Sequence, residues 1–188
     1  MSQSATKSKF ATKILRPAAA SSDESPLHKC PAFVVLPKLV SDTLPRRGRT
    51  TVDGSINGHR FRATLEPDGK LSHWLPINAD LLSAANVGIG DEVVVEISAA
   101  EQQTEPAVPV DFQQALTAAP DARSVWEDTT TIARIDWVHW IESAKQSKTR
   151  AKRIGDACNL LSAGKRRVCC FDPSGYYSRA LSAPEVAD

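Results

Sequence analysis

Residues 49–65 read RTTVDGSINGHRFRATL, two alternating runs either side of Asn57-Gly58. An Asn-Gly pair in that setting accepts left-handed backbone at both positions and is the strongest short-range signal of a β-hairpin. The runs are Arg49–Ile56 and His59–Leu65. Period two in the second run turns Phe61, Ala63 and Leu65 to one face and Arg60, Arg62 and Thr64 to the other. One hairpin with a single apolar face does not stand alone in water, so further strands must cover it.

The flanks supply them. On the N-terminal side, Phe10–Leu15 reads as a strand closed by Pro17. An Ala-, Ser- and Pro-rich excursion follows to Pro31, then a short strand over Ala32–Leu36, and Pro37 opens a helix through Leu44. On the C-terminal side a Pro67-Asp68-Gly69 turn leads to a strand ending at Leu75, then Pro76 and a helix over Asn78–Ala85. Gly88 and Gly90 break the chain before Glu92–Ser98, where Val93, Val95 and Ile97 share a face.

Aligned, KFATKIL, FVVLPKLVSDTL and GRTTVDGSI match HRFRATL, HWLPINADLL and GDEVVVEI in order and type. Each half is strand, strand ending in Leu-Pro, short helix, strand. Three strands leave open edges, whereas two such halves closing on each other make a six-stranded barrel with a shared core. The expected first domain is therefore a small β-barrel with a pseudo-twofold repeat over residues 7–99.

A polar, Pro-containing linker over 100–108 precedes a helical module over 109–167, and 168–188 forms a C-terminal tail. The class is α+β. Asp111 caps a first helix with Phe112, Ala115 and Leu116 inward, and Pro120-Asp121 opens a second containing Val125 and Trp126. A third helix runs from Thr131 to Lys145 behind Thr129 and Thr130, and a fourth from a Ser147 cap to Gly164, placed where a left-handed residue ends a helix. The stripe Ala151, Ile154, Cys158 and Leu161 is the expected buried face of the fourth. In the third, Trp137, Trp140, Ile141 and Ala144 share one side and Ile132, Ile135 and Val138 the other, so it is expected between two apolar surfaces, one the other helices and the second the barrel or a partner; Ile132, Ile135 and Val138 are the candidate partner-binding residues.

The chain carries 23 basic and 22 acidic side chains, so no global field drives it to a polyanion. Lys145–Arg167 is locally basic, with Asp156 its single acid. Lys148 and Lys152 lie opposite the apolar stripe, and Lys152 is spaced to pair with Asp156. Arg150 projects within about 40° of Ile154, at the core edge. Its guanidinium either meets Glu142, Asp136 or Glu127 in an ion pair, or joins Arg153 in a receptor for a carboxylate or phosphate. On the barrel, Arg46, Arg47, Arg49, Arg60 and Arg62 are the candidate phosphate contacts of a nucleic-acid surface.

Chemistry-bearing patterns are sparse. There is no GxSxG, GxxxxGK or HExxH, and VGIGD lacks the third glycine of a dinucleotide site. His28, His59, His73 and His139 have no partner at ligand or nucleophile spacing. Cys30, Cys158, Cys169 and Cys170 form no CxxC and are expected as reduced thiols. The expectation is no catalytic residue, no metal and no cofactor. No apolar run reaches membrane length and MSQSATKSKF lacks the apolar centre of a secretory signal, so a cytoplasmic protein without membrane insertion is expected.

LPKLVSDTL, RGRTTVDGSINGHRFRATL, LPINADLL and VGIGDEVVVEI resemble the small barrel of a bacterial domain of unknown function. VPVDFQQAL, WIESAK, TRAKRI and LLSAGKRR resemble the helical module of the YdeI/OmpD-associated, or bacteriocin-protection, family. The resemblance spans roughly residues 9–171 and implies a double-split barrel, distantly like that of AbrB-type DNA-binding proteins. It carries over no catalytic residue. The excursion between Pro17 and Pro31 departs from the family pattern. Three functional classes follow: a noncatalytic interaction protein with an unknown protein or peptide partner, contributing indirectly to bacteriocin or antimicrobial-peptide protection; a nucleic-acid-binding protein; and a small-anion receptor or enzyme centred on Arg150.

Overall fold

The computed structural model describes residues 6–18, 30–168 and 181–187. The chain divides into two compact units, Met1–Gln103 together with Leu181–Asp188, and Thr104–Ala180. Most of the excursion, together with His28, Cys169 and Cys170, lies outside the described residues.

The first unit contains β1 (Ser8–Lys13), β2 (Ala32–Val35), α1 (Lys38–Ser41), β3 (Thr50–Ile56), β4 (His59–Pro67), β5 (His73–Ile77), α2 (Ala79–Ala85) and β6 (Glu92–Ala99). The strands form one antiparallel sheet in the order β1-β6-β3-β4-β5-β2, curled into a half-barrel. Just beyond β1, Leu15 exchanges two backbone hydrogen bonds of 2.9 Å with Phe33 on β2, which draws the two edge strands together. Inward residues from all six strands, including Phe10, Val34, Val52, Leu65, Leu75 and Val95, make one apolar core. The hairpin turns at Asn57 and Gly58, with φ of 47° and 87°, and the Asn57 carboxamide oxygen accepts the Val94 N–H at 2.9 Å.

Gly54 marks a close approach between neighbouring strands. It faces Phe61 on β4 and Ile97 on β6, and a Cβ there would stand 2.4 Å from the Glu96 carbonyl oxygen and 2.9 Å from Phe61 Cζ. Only a residue without a side chain lets the strands approach so closely.

The second unit contains α3 (Val110–Ala118), α4 (Pro120–Glu127), α5 (Thr131–Glu142) and α6 (Ser147–Ser162). Phe112, Leu116, Trp126, Trp137, Ile141, Ile154, Ala157 and Leu161 share its core. Phe112 and Trp126 meet edge to face with centroids 5.2 Å apart, the arrangement ring quadrupoles favour. α5 ends at Glu142, earlier than the expected Lys145, with Ser143 as its C-cap and the Ala144 N–H bonded only three residues back, to the Ile141 carbonyl at 3.3 Å. α6 starts behind Gln146, so Ser147 is its first residue rather than its cap. Gly164, with φ of 81°, closes α6 as expected, and the Lys165 N–H returns to the Leu160 carbonyl at 3.0 Å. On α6 the buried residues are Ile154, Ala157 and Leu161, while Ala151 is exposed and Cys158 half-buried. The buried sector is thus turned roughly 50° from the expected stripe, toward Arg150. Among the described residues no helix is long and apolar enough to cross a membrane.

Candidate interaction surface and its arginines

α6 brings two arginines, three residues apart, to the inner edge of the helical unit. Arg150 faces α3 and lays its fork on Asp111, Nε to Oδ2 at 2.7 Å and Nη2 to Oδ1 at 2.9 Å. The same carboxylate accepts the Phe112 N–H at 2.9 Å. The hydrogen bonds from Arg150 hold the Asp111 carboxyl below its ordinary range, against the opposing effect of partial burial. Arg150 is raised in turn, chiefly by the Asp111 hydrogen bonds, with Glu142 adding a weaker favourable field. Expectation named Glu142, Asp136 or Glu127 as partner; Asp111 corrects it. The cause is the turn of the buried sector, which points Arg150 at the first turn of α3.

Arg153 faces the end of α5. Its Nη1 donates to the Trp140 carbonyl at 2.5 Å and to Ser143 Oγ at 2.9 Å, and its guanidinium carbon lies 5.4 Å from the Trp140 ring centroid. Helix C-termini leave carbonyls without intrahelical donors, and a cation there satisfies them and opposes the helix dipole. Both arginines of TRAKRI are therefore engaged inside the module. A third, Arg134, grips Glu105 with Nε to Oε2 at 2.9 Å and Nη2 to Oε1 at 2.8 Å, and donates to the Thr129 carbonyl at 2.8 Å. Arg134 lowers the Glu105 carboxyl and ties the linker to the start of α5.

The expected partner face is mostly interior. Ile135 and Val138 are 3% and 1% exposed, which corrects their assignment to a surface. α5 is buried on more of its circumference than the two-sided pattern separates. Ile132 remains, at 44% exposed, joined by Val110 on the first turn of α3 at 70%.

The barrel arginines are largely engaged as well. Arg49 is enclosed with Glu66, Nε to Oε2 at 2.9 Å, which leaves it no path to a phosphate. Arg47 donates to Asp42 at 2.7 Å and to the Leu71 carbonyl at 2.8 Å, where it braces a leucine held at φ of 68°. Arg62 forms a fork with Asp53 across the hairpin, at 2.7 and 2.8 Å, and depresses that carboxyl. Arg46 is half-buried, and Arg60 is exposed on the outer face of β4.

One polar pair escaped the sequence. His73, fully buried on β5, takes Ser41 Oγ at Nδ1, 2.7 Å, and contacts the Gly48 carbonyl oxygen through Nε2 at 3.0 Å. A carbonyl can only accept, so Nε2 carries the proton and Nδ1 accepts the Ser41 hydroxyl. Burial pushes the imidazole below its usual value, opposed by the Gly48 hydrogen bond and the Asp68 charge. A hydroxyl on imidazole resembles a nucleophile and its base, but both groups are sealed from solvent, so the pair serves as a strut. Cys30 and Cys158 are free thiols raised by burial. Among the described residues no three of His, Cys, Asp and Glu come together as a metal-binding group.

With this geometry in hand, comparison with known families finds two matches. Residues 105–164 match a family described as bacteriocin-protection, YdeI or OmpD-associated, and residues 10–97 match a domain of unknown function (DUF1905). The first spans the four helices and the second the curled sheet. No curated protein matches the chain.

Proposed function

We propose that this chain, a YdeI/OmpD-associated protein whose helical module follows a DUF1905 barrel, is a noncatalytic interaction protein that contributes indirectly to bacteriocin protection. The carrying observation is how the helical module divides its side chains. Its internal arginines are satisfied by Asp111, Glu105 and helix-end acceptors, while among the described residues Ile132 and Val110 are its exposed large apolar side chains. A protein or peptide partner seated on apolar side chains fits that division better than a small anion held by Arg150 and Arg153. Protection is indirect on this view, because a basic surface does not attract a cationic peptide. The site of action we infer is the cytoplasm.

The same footing supports the finer description of the barrel as a double-split, pseudo-twofold closure. Exchanging β1 with β4, β2 with β5 and β3 with β6 returns the same set of pairings, the Leu15–Phe33 bridge included. In an experimental structure, residues 8–56 should superpose on 59–99; two halves that differ in pairing or register refute it.

The functional test compares tagged full chain with Ile132→Glu and Val110→Glu in the cell that makes it. Expected is one reproducible partner lost from both variants with unchanged melting temperature, together with bacteriocin sensitivity equal to that of a deletion. Variants that retain the partner and full resistance overturn the reading.

A further inference from the structure

Residues 181–187 come back from beyond α6 and join the barrel unit rather than the helices. Val186 sits opposite Pro17 in an antiparallel bridge. The Ala18 N–H donates to the Glu185 carbonyl at 2.7 Å, and the Ala187 N–H donates to the Arg16 carbonyl at 2.9 Å. In this register the Pro17 nitrogen is turned away from the pair, so its missing N–H costs no bond. Side chains add selection. Pro184 is buried, Leu181, Ala183 and Ala187 are half-buried, and Glu185 and Val186 stay exposed. The features that read the segment include two backbone bonds, one buried proline and a half-buried leucine three residues before it.

We propose that the Arg16–Ala18 edge of the barrel is a strand-acceptor site for a short extended peptide of the pattern Leu-x-x-Pro-x-Val-Ala. The chain's own residues 181–187 fill it in cis, and the same segment of a second copy can fill it in trans. Strand addition to a free edge supplies affinity through the backbone and specificity through alternate side chains. Leu15, the residue before this edge, is already committed to Phe33, so the next free backbone groups belong to Arg16–Ala18. A second copy matches by identity, because it presents the same Leu181, Pro184 and Ala187 to the same edge. This is the condition under which an element exchanges between protomers at low cost. The bridge is one pair long, against four to seven residue pairs for β1 with β6, β2 with β5 and β3 with β4, so the cis strand is displaceable while the six-stranded core stays intact.

The test uses the full chain and a labelled synthetic peptide, LSAPEVAD, copied from residues 181–188. In the full-length Pro184→Asp/Ala187→Pro variant the cis strand loses its buried anchor and one donor, leaving the edge empty. Fluorescence anisotropy should show saturable peptide binding to this variant. Binding to the unaltered chain should be at least about tenfold weaker, because a tethered strand competes at an effective concentration on the order of 1 mM. A peptide with proline in place of the Ala187 residue lacks the N–H for Arg16 and should not bind. Equal binding to both chains, or none to the variant, overturns the proposal. Should the variant fail to fold, hydrogen exchange on the unaltered chain decides. The Ala18 and Ala187 amides must open together while Val52 and Val95 stay protected; opening only with those core amides refutes a displaceable strand.

Discussion

The Asp111–Arg150 fork separates a structural arginine from an anion receptor, and a double-mutant cycle measures it. The perturbations are Asp111→Asn, Arg150→Met and the two together. Both side chains are partly open to water, 47% exposed for Asp111 and 26% for Arg150, so a buried-pair energy does not apply. Exposed ion pairs couple by about 0.2–1 kcal/mol, and two parallel bonds at 2.7 and 2.9 Å place this one near the top, at about 1 kcal/mol. For a unit of ~60–100 residues that shifts the melting temperature by about 4–8 °C. The assay is urea unfolding at neutral pH followed through Trp126, Trp137 and Trp140, repeated in 1 M salt, where the coupling should shrink. The pH dependence has a definite sign. The fork depresses the Asp111 carboxyl in the folded state, so its stabilisation is fully present above the unfolded value of about 3.9 and is lost as pH falls through the lower folded value. A coupling below about 0.3 kcal/mol with the helices intact would refute the reasoning. Arg150 would then be free in solution, and the anion-receptor class would return.

Three further outcomes are expected. Gly54→Ala pushes a Cβ into the β6 backbone at 2.4 Å and should cost about 1–3 kcal/mol in thermal unfolding; adding Phe61→Leu should recover only part, since the carbonyl remains, and full recovery would place the clash on the ring. For His73, burial lowers the folded pKa, so the unfolded chain takes the proton first. Stability should fall by up to about 1.4 kcal/mol per pH unit below roughly pH 6.5, until the folded value is passed, and His73→Gln should flatten that slope; an unchanged slope assigns the acid sensitivity elsewhere. Labelled duplex DNA should give no saturable anisotropy change below about 100 µM protein at physiological salt, because Arg47, Arg49 and Arg62 are held by carboxylates; micromolar, salt-steep binding would contradict this.

What could be read from the sequence was local. Asn57-Gly58, Gly164 and the helix order each depend on neighbours a few residues apart, and each stands in the structure; the strand expected to end at Leu75 instead runs through Pro76 to Ile77, where Pro76 pairs with Phe33. What could not be read depends on distance along the chain. Ser41 and His73 are 32 residues apart and Asp111 and Arg150 are 39 apart, so no spacing rule joins them. The α6 stripe shows how a small angular error becomes a chemical one. Ala151 and Ala157 flank Ile154 at equal angles on a 3.6-residue helix, and nothing in either residue type chooses between them. The expected stripe runs through Ala151, and the acids expected for Arg150 lie on α4 and α5; the buried side is Ala157, and Arg150 faces Asp111 on α3. For Ile135 and Val138 the two-sided pattern shows that both faces of the helix are covered but not by what, and both residues are buried within the chain. For residues 181–187 the signal was slight: a Pro followed by Glu-Val-Ala marks an extended segment, and only the fold supplies its edge.

The three-residue spacing in TRAKRI acquires a meaning from this geometry. On a helix, positions 150 and 153 lie on adjoining faces one turn apart, so α6 can hold α3 with one guanidinium and the last carbonyls of α5 with the other. Arg153 makes both bonds, to Trp140 O and Ser143 Oγ, through Nη1, and lysine at 153 would keep the charge but not the planar guanidinium set beside the Trp140 ring. A module braced in this way gains orientation of its helices, and with it a fixed placement of Val110 and Ile132. Loss of function in an Arg150 or Arg153 variant would thus travel with loss of stability, whereas loss in Ile132→Glu would not. That separation distinguishes a surface that meets a partner from the framework that presents it.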